Sequence, residues 1–411
     1  MTLQQETLPI PRKRSRTTSI ALILLCQVLT LAVWFASTAA LPSIATLEPI
    51  SGPRMAAMTS ILQVGFVLGA LLSALLNLSD RFDPRNFFAI SAAAAAATTA
   101  ALLVVQPVGN MALILRFATG ISLAGIYPVG MRMVASWAKH DLGKLVGLLV
   151  GALTIGSALP HLFTIGAAWD WKLVYAVSSV AALSAAGLVK LVQLGPGFTR
   201  AQRFDPHVAK AAWLKRPIRL ANMGYLGHMW ELYAMWAWIG AFFRASLHAR
   251  GIDQPGLAPA ATFLVIAAGA LGAMLGGRLA DRYGRTAVTI WSMAISGACA
   301  LSVGWLFGGP PLLILAVAVV WGISIIADSA QFSACVVELS PPESVGTMLT
   351  IQICLGFAVT LVTIQSMDFV VSSFGWGIGF TMLAAGPLFG CFAMWLLRRD
   401  PASHTLANGK K

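Results

Sequence analysis

Apolar runs of about 20 residues, the length that a helix needs to cross a bilayer, recur along nearly the whole chain. Hydrophobic residues make up 58% of the 411 positions and charged residues only 10%, a balance that soluble globular domains do not have. We therefore predict an all-α membrane protein built from transmembrane helices.

Twelve transmembrane helices account for these runs. Their predicted limits are residues 19–45, 55–79, 87–106, 110–136, 141–167, 172–194, 218–245, 257–280, 286–307, 311–338, 343–372 and 375–397. Of the 28 Lys and Arg, Arg116 lies within a span and 23 share the side of the N-terminus. The four on the opposite side are Arg54, Lys172, Arg244 and Arg250. Cytoplasmic loops carry the excess of basic residues, so we expect both termini in the cytoplasm and the protein in the cytoplasmic (inner) membrane.

The longest polar interruption divides the chain into two halves of six helices each. The predicted parts are an N-terminal tail, a first half, a linker, a second half and a C-terminal tail, at residues 1–18, 19–194, 195–217, 218–397 and 398–411. We expect the last of these to be disordered because it is short and polar.

An internal repeat supports the division into halves. The tripeptide Gly-Ile-Ser at residues 120–122 recurs at residues 322–324, and Trp34 stands to Trp236 at the same offset. Two pseudo-symmetric halves with a binding site at their interface is an architecture of secondary transporters.

A charged turn interrupts the apolar runs of the second half. It fits the pattern G-x-x-x-D-R-x-G-R at Gly277, Asp281, Arg282, Gly284 and Arg285. So many charges cannot lie in hydrocarbon, and the turn must therefore lie at a membrane surface. The pattern resembles the signature loop between the second and third helices of each half in the major facilitator superfamily. The resemblance covers nearly the whole chain and implies a transporter whose two halves rock about a central site.

The residue types of this turn suit a conformational gate. Gly277 lets two helices approach closely, and Gly284 supplies a turn that other residues resist. Asp281 is placed to meet the positive N-terminal end of a neighbouring helix, which we expect near residues 344–346.

The corresponding loop of the first half keeps part of the pattern. Asp80, Arg81 and Arg85 match, whereas Leu76 replaces the first glycine and residues 83–84 (Asp-Pro) replace the second glycine and its neighbour. We expect Asp80 and Arg81 to contribute to the gate and the second copy to dominate it.

Arg116 is the clearest charge inside a span, and with Gly120 it forms the pattern R-x-x-x-G. The pattern resembles the fourth-helix motif of proton-driven members of the superfamily, where the arginine is tied to coupling. A guanidinium stays charged and binds a carboxylate through two parallel bonds, so Arg116 could instead hold an anionic substrate. A third interpretation is an arginine that extends to the outer surface.

The seventh span is rich in polar residues. His228 and Glu231 are three residues apart and share a helical face, with Tyr225 partly on the same side. Desolvation disfavours a charged carboxylate, which predicts that Glu231 carries a proton and that His228 shares it. The alternative is a polar pair that holds helices together.

Further candidates lie in the first, seventh and tenth spans. In the superfamily the first and seventh helices line the central cavity, which implies that Gln27, Trp34 and Trp236 face it. Asp328 in the tenth span could carry a proton, pair with Arg116 or cap a bent helix.

The sequence lacks the residues that other classes of function require. The five cysteines lie in apolar runs without a C-x-x-C pair, and the His-x-x-Glu pair has no third ligand at useful spacing, so we expect no disulfide framework, metal or other cofactor. No G-x-x-x-x-G-K-[ST] loop supports ATP drive. The basic residues indicate topology rather than nucleic-acid binding, and no convincing nucleophile suggests an enzyme.

The sequence thus predicts a monomeric, proton-coupled secondary transporter of a small solute, with a small organic anion favoured as substrate. The alternative is an exporter of drugs or amphipathic compounds, working as a proton antiporter with Glu231 as counter-ion. A receptor or assembly factor that keeps the fold and moves nothing is the alternative from another class.

Overall fold

A computed structural model describes residues 15–139, 141–165, 170–198 and 210–411, and its regular elements are all helices. The α-helices of the first half are α1 (Arg16–Leu31), α2 (Ala36–Ile44), α3 (Gly52–Leu75), α4 (Leu78–Arg81), α5 (Pro84–Ala101), α6 (Asn110–Leu123), α7 (Tyr127–Ala135), α8 (Leu142–Phe163) and α9 (Trp171–Leu188). Those of the second half are α10 (Ala211–Leu214), α11 (Arg216–His248), α12 (Leu257–Tyr283), α13 (Arg285–Val303), α14 (Pro311–Ala327), α15 (Ser329–Leu339), α16 (Val345–Leu383) and α17 (Ala385–Arg399). Short 3-10 helices lie at Val189–Leu191, Gly304–Leu306, Pro342–Ser344 and Pro401–Gly409.

Nine helical stretches in the described residues are long and apolar enough to cross a membrane. The last of them, Val345–Arg399, turns at Gly375, where φ is 82°. Beyond the turn Gly379 packs back against Val371, so this stretch holds two passes. The long helices α5 and α11 are not among the nine. Together these segments follow the order of the twelve predicted spans. Only the nine stretches are shown to be apolar enough to cross a membrane.

The first, fourth and tenth passes are interrupted, between α1 and α2, between α6 and α7, and between α14 and α15. An interrupted helix leaves backbone groups without their usual partners. In the first and fourth passes a side chain from another helix supplies the missing partner. Arg116 donates to the carbonyl oxygens of Val33 at 2.9 Å and Trp34 at 2.6 Å, and Gln27 Nε2 donates to the carbonyl of Ile126 at 3.1 Å.

The two halves differ at the position of this arginine. The repeat offset that relates residues 120–122 to 322–324 places Ala318 opposite Arg116. The seventh pass, which corresponds to the broken first pass, is the continuous 33-residue helix α11. The half that has the arginine therefore has a broken first helix, whereas in the half that has alanine the corresponding seventh helix is continuous.

The halves meet along two pairs of helices, α3 with α16 and α8 with α12. In the first pair Gln365 Nε2 donates to Ser60 Oγ at 2.7 Å. In the second pair a β-carbon on Gly147 would lie 2.9 Å from the carbonyl oxygen of Ala273, so the absence of a side chain permits the contact.

We name the membrane side at which α1 begins the terminal face and the opposite side the distal face. Arg16 at the start of α1 forms an ion pair of 2.6 Å with Asp141, which precedes α8. The Arg16 guanidinium holds the pKa of Asp141 below its usual range. This contact fixes the terminal ends of two helices of the first half beside each other.

Candidate functional site

A cavity of about 730 Å³ lies between the two halves on the distal side. We name it the distal cavity. Its walls come from α2, the start of α3, the ends of α8 and α11, the start of α12, and Ile364 of α16. Its volume is in the range of pockets that enclose small molecules.

The walls of the distal cavity are mainly apolar, and two side chains stand out from them. Arg244 of α11 and His161 of α8 both line it, one from each half. Arg244 Nε and His161 Nε2 are buried and have no hydrogen-bond partner among the described residues. These two groups are thus available to a bound molecule.

Four aromatic rings form a layer below the distal cavity: Trp34, Phe66, Tyr233 and Phe357. Ring centroids are 5.1 Å apart for Trp34 and Phe66, 4.7 Å for Phe66 and Phe357, and 4.9 Å for Tyr233 and Phe357. The four rings line a second cavity of about 80 Å³, to which Tyr225 also contributes. Thr59 and Ile364 line the distal cavity and lie about two turns nearer the distal face than Phe66 on α3 and Phe357 on α16. The layer therefore separates the two cavities.

The predicted acids lie inside the second half rather than on either cavity. Trp321 Nε1 donates to Glu231 Oε1 at 2.7 Å, and Ser296 Oγ donates to Glu231 Oε2 at 2.9 Å. His228 Nδ1 lies 2.9 Å from Asp328 Oδ1 at the break between α14 and α15. All three titratable residues are about 1% exposed. They form a buried polar cluster between α11, α13, α14 and α15.

The structure disperses the other predicted cavity residues. Trp34 and Tyr225 line the smaller cavity. Trp236 is buried against Phe35 and Tyr233. Gln27 bonds to the break between α6 and α7, as described above.

Arg116 lines neither of the two cavities. It is fully buried and does not extend to the surface, and its guanidinium faces backbone carbonyls of the broken first pass. It does not pair with Asp328, which faces His228.

The charged turn lies at the terminal face and forms a network with α15. Arg285 Nε donates to Glu338 Oε2 at 2.8 Å, and its NH1 group donates to Gln331 Oε1 at 2.9 Å. Gly284 has φ 95°, a conformation that favours glycine. Arg282 stacks on the ring of Tyr283 at 5.1 Å.

Asp281 faces the other half of the protein. A side chain on Gly143, in the first turn of α8, would lie 3.8 Å from Asp281 Oδ2, and one on Gly277 would lie 3.5 Å from the Gly143 carbonyl. The neighbouring helix N-terminus is therefore that of α8, and the expectation of residues 344–346 was wrong. This contact crosses between the halves, which the predicted one would not have done.

The C-terminal segment packs on this network, so the prediction of a disordered tail was wrong. Leu406 is fully buried, and the Ala407 amide donates to Glu338 Oε2 at 3.0 Å. Lys410 Nζ donates to the carbonyl oxygen of Asp281 at 2.6 Å. Polar composition failed as a guide because Glu338 and the carbonyl of Asp281 supply acceptors for the tail.

The first-half copy of the turn makes local contacts. Asp83 accepts from the Arg85 amide at 2.8 Å as the cap of α5 and forms an ion pair with its guanidinium at 2.6 Å. The Arg85 guanidinium keeps the pKa of Asp83 below its usual range. Arg81 is exposed, and the side chain of Asp80 lies outside the described part of the structure.

We expect Asp281→Asn to loosen the terminal face. A carboxylate beside a helix N-terminus stabilises the closed terminal face by about 0.3–2 kcal/mol. Its loss is enough to change the population with an open terminal face several-fold. Maleimide labelling of Ala273→Cys, a buried position on α12 where it meets α8, should become several-fold faster. Asp83→Asn is the matched control, and equal labelling rates in the two variants would contradict the role of Asp281.

Sequence reasoning missed Arg244 and His161. Arg244 was counted only as a basic residue opposite the N-terminus, at the end of the predicted span 218–245, although an apolar run continues past it to Leu247. Arg244 lies one helical turn after Gly240, so the two residues share a face of the helix. This shared face was the available signal for the position of Arg244. Both do line the distal cavity.

Two helical halves that enclose a cavity at their interface define the class of membrane transporters built from internal repeats. The sequence model of the Major Facilitator Superfamily matches residues 23–362, and the chain belongs to this family. It is accordingly a multi-pass membrane transporter and not an enzyme. No curated protein sequence matched the chain.

Solved structures share the fold at low identity. The proton:xylose symporter XylE, bound to 6-bromo-6-deoxy-D-glucose, is 15% identical with a TM-score of 0.70, over 93% of this chain and 96% of that one. The nucleoside transporter NupG is 13% identical with a TM-score of 0.69, over 92% and 99%. The human organic anion transporter MFSD10 (TETRAN) is 15% identical with a TM-score of 0.66, over 93% and 100%.

Proposed function

We propose that this protein is a proton-coupled secondary transporter of a small organic anion. It acts as a monomer in the cytoplasmic (inner) membrane, with both termini in the cytoplasm. The observation that carries the anion preference is Arg244, a fixed cation that lines the distal cavity and has no ion-pair partner among the described residues.

An arginine without a counter-ion in a mainly apolar cavity supports an anionic ligand. Desolvation of an unpaired charge is costly, and a ligand carboxylate would compensate for it. The human structural neighbour described as an organic anion transporter is in keeping with this class. The sugar and nucleoside transporters among the neighbours show that the fold accepts other substrates.

The buried polar cluster supports coupling to protons. Glu231, His228 and Asp328 are titratable groups enclosed within the second half. A buried carboxylate is costly when charged, and a proton removes this cost. Rocking of the halves would expose the cluster to each face in turn and so couple its protonation to transport.

The gate of the proposed cycle is the terminal-face network. Gly277, Asp281, Arg282, Gly284 and Arg285 hold the terminal side closed while the distal cavity is present. Arg81 and Asp80 are assigned a lesser part, because the first-half copy of the turn pairs locally at Asp83.

An exporter of amphipathic compounds is the second candidate, because the cavity walls are mainly apolar. In this candidate function, Glu231 would be the counter-ion of a cationic substrate. Both oxygens of Glu231 accept hydrogen bonds from Trp321 and Ser296, and the residue lines neither cavity. The anion is therefore the better supported substrate.

The test uses purified protein in liposomes and a panel of labelled carboxylates, a sugar and an organic cation. We expect an imposed pH gradient to drive accumulation of at least one carboxylate, and a protonophore to abolish it. Accumulation of the cation or the sugar alone, or accumulation that ignores the pH gradient, would overturn the proposal.

The proposed topology has its own test. Reporter fusions after Arg85 and Arg285 should report the cytoplasm, and fusions near Gly52 and Gln254 should report the other side, because basic residues concentrate in alternate loops. A fusion after Arg285 that reports the outer side would refute both the orientation and the span assignment.

A further inference from the structure

We infer that the ligand of the distal cavity is an amphipathic monoanion, a single acidic group on an apolar body. Arg244 binds the acidic group, and His161 contacts it from the other half. The inference rests on the proposed function, because it takes the distal cavity as the substrate site and Arg244 as its cation.

The number of free charges in the cavity limits the charge of the ligand. His248 Nδ1 lies 2.9 Å from Asp253 Oδ1, so these two lining residues are occupied with each other at the exposed rim. Arg244 is left as the one cation of the described lining without an acidic partner. A second carboxylate on the ligand would face apolar wall at the cost of an unpaired charge.

The hydroxyl groups of the cavity wall argue against a sugar or a nucleoside. Thr38 and Thr59 bond to each other at 2.8 Å, and Thr262 donates to the Ala258 carbonyl at 2.7 Å. Thr46 and Thr164 likewise donate to carbonyls within their own segments, at 2.7 Å and 2.8 Å. A polyhydroxylated ligand needs many donors and acceptors, and four of these five hydroxyl protons are already engaged.

The remaining wall suits an apolar body. Leu41, Met55, Leu247, Ile252 and Ile364 line the cavity. The Nε1 group of Trp238, which also lines it, donates to the carbonyl of Ile364 at 3.2 Å, so the indole offers the ligand its ring surface. Burial of apolar ligand surface against such walls contributes about 25 cal/mol for each Å² removed from water.

The position of the acidic group follows from the two buried polar atoms. His161 is 6% exposed, and its Nε2 atom has no partner in the described part of the chain. Arg244 belongs to α11 and His161 to α8, which are helices of different halves. An acidic group bound to both side chains would link the two halves at the distal face.

The inference is tested by equilibrium binding to the purified protein in detergent, without transport. The probes are benzoate, the dianion phthalate, the neutral benzyl alcohol, and glucose. We expect benzoate to bind at least tenfold more tightly than each of the others. Arg244→Gln should weaken benzoate binding about tenfold or more, the magnitude of a lost charge-assisted hydrogen bond, and leave benzyl alcohol binding unchanged.

Arg250→Gln is the matched control, because Arg250 is exposed just beyond the same helix and donates to the Gly308 carbonyl. It should bind benzoate like the wild type. His161→Ala should weaken benzoate binding several-fold. Unchanged benzyl alcohol binding by Arg244→Gln shows that the variant is folded.

Two outcomes separate this inference from the proposed function. Preference for phthalate or glucose, or full benzoate binding by Arg244→Gln, would overturn the inference even if a pH gradient drives transport of some anion. Binding as expected, without any flux driven by a pH gradient, would support the monoanion site and overturn proton coupling.

Discussion

Replacement of Arg116 by leucine is expected to destabilise the protein severely, although the new side chain is apolar and the site is buried. The guanidinium is the partner of the Val33 and Trp34 carbonyls at the break between α1 and α2. A buried carbonyl left without a partner costs about 1–3 kcal/mol, so loss of both should lower the free energy of unfolding by roughly 2–6 kcal/mol. The melting temperature in detergent and the folded yield measure this effect.

Arg244→Leu is the matched control for this variant. It also removes an arginine from a long helix, but Arg244 Nε has no partner among the described residues. Its stability should therefore equal or exceed that of the wild type, while anion binding is lost. If Arg116→Leu instead melts like the wild type and loses only coupling, the structural assignment fails and the sequence-based role in coupling is restored.

Replacement of Glu231 by glutamine is expected to abolish accumulation driven by a pH gradient while substrate exchange across the membrane continues. The amide resembles the protonated carboxyl in shape and charge, so the variant cannot release a proton. Its oxygen can still accept a hydrogen bond from Trp321 or Ser296, the partners of the native carboxylate. Folding should therefore survive the change.

Uptake with a pH gradient and counterflow exchange, measured on the same liposomes, separate coupling from binding. Asp170→Asn is the control, because Asp170 is an exposed acid that caps α9 through the Lys172 amide at 2.8 Å. Loss of both uptake and exchange would indicate that Glu231 takes part in substrate binding. Full accumulation by Glu231→Gln would indicate that this residue has only a structural role in packing.

The positions of Arg116 and Arg244 show where sequence reasoning succeeds and where it ends. The sequence offered Arg116 as a possible anion-binding residue, whereas Arg244 counted only as one of the basic residues opposite the N-terminus. The structure places Arg116 against backbone carbonyls and Arg244 against a cavity. The residue type is the same at both positions, and only the groups that surround the guanidinium differ.

The contacts of His228 with Asp328 and of Asp281 with α8 show the same limit of prediction from sequence. His228 and Glu231 share a helical face, as their spacing predicted, but their partners lie 65 to 100 residues away, in α13, in α14 and at the break after α14. Asp281 was expected at a helix N-terminus and lies at one, but in the other half of the chain. Spacing predicts a face of a helix and leaves open what that face meets.

The sequence by itself determined the membrane class, the order of the helices, the two-fold repeat and the charged turn with its glycine at positive φ. These features depend on the local hydrophobicity of about 20 residues at a time and on backbone geometry within a turn. The tertiary structure alone decided that Arg116 bonds to the broken first helix, that residues 401–409 pack beside the charged turn, and that Arg244 and His161 share a cavity. The reason is that a buried polar group is defined by the partner it meets, and these partners come from segments distant in sequence.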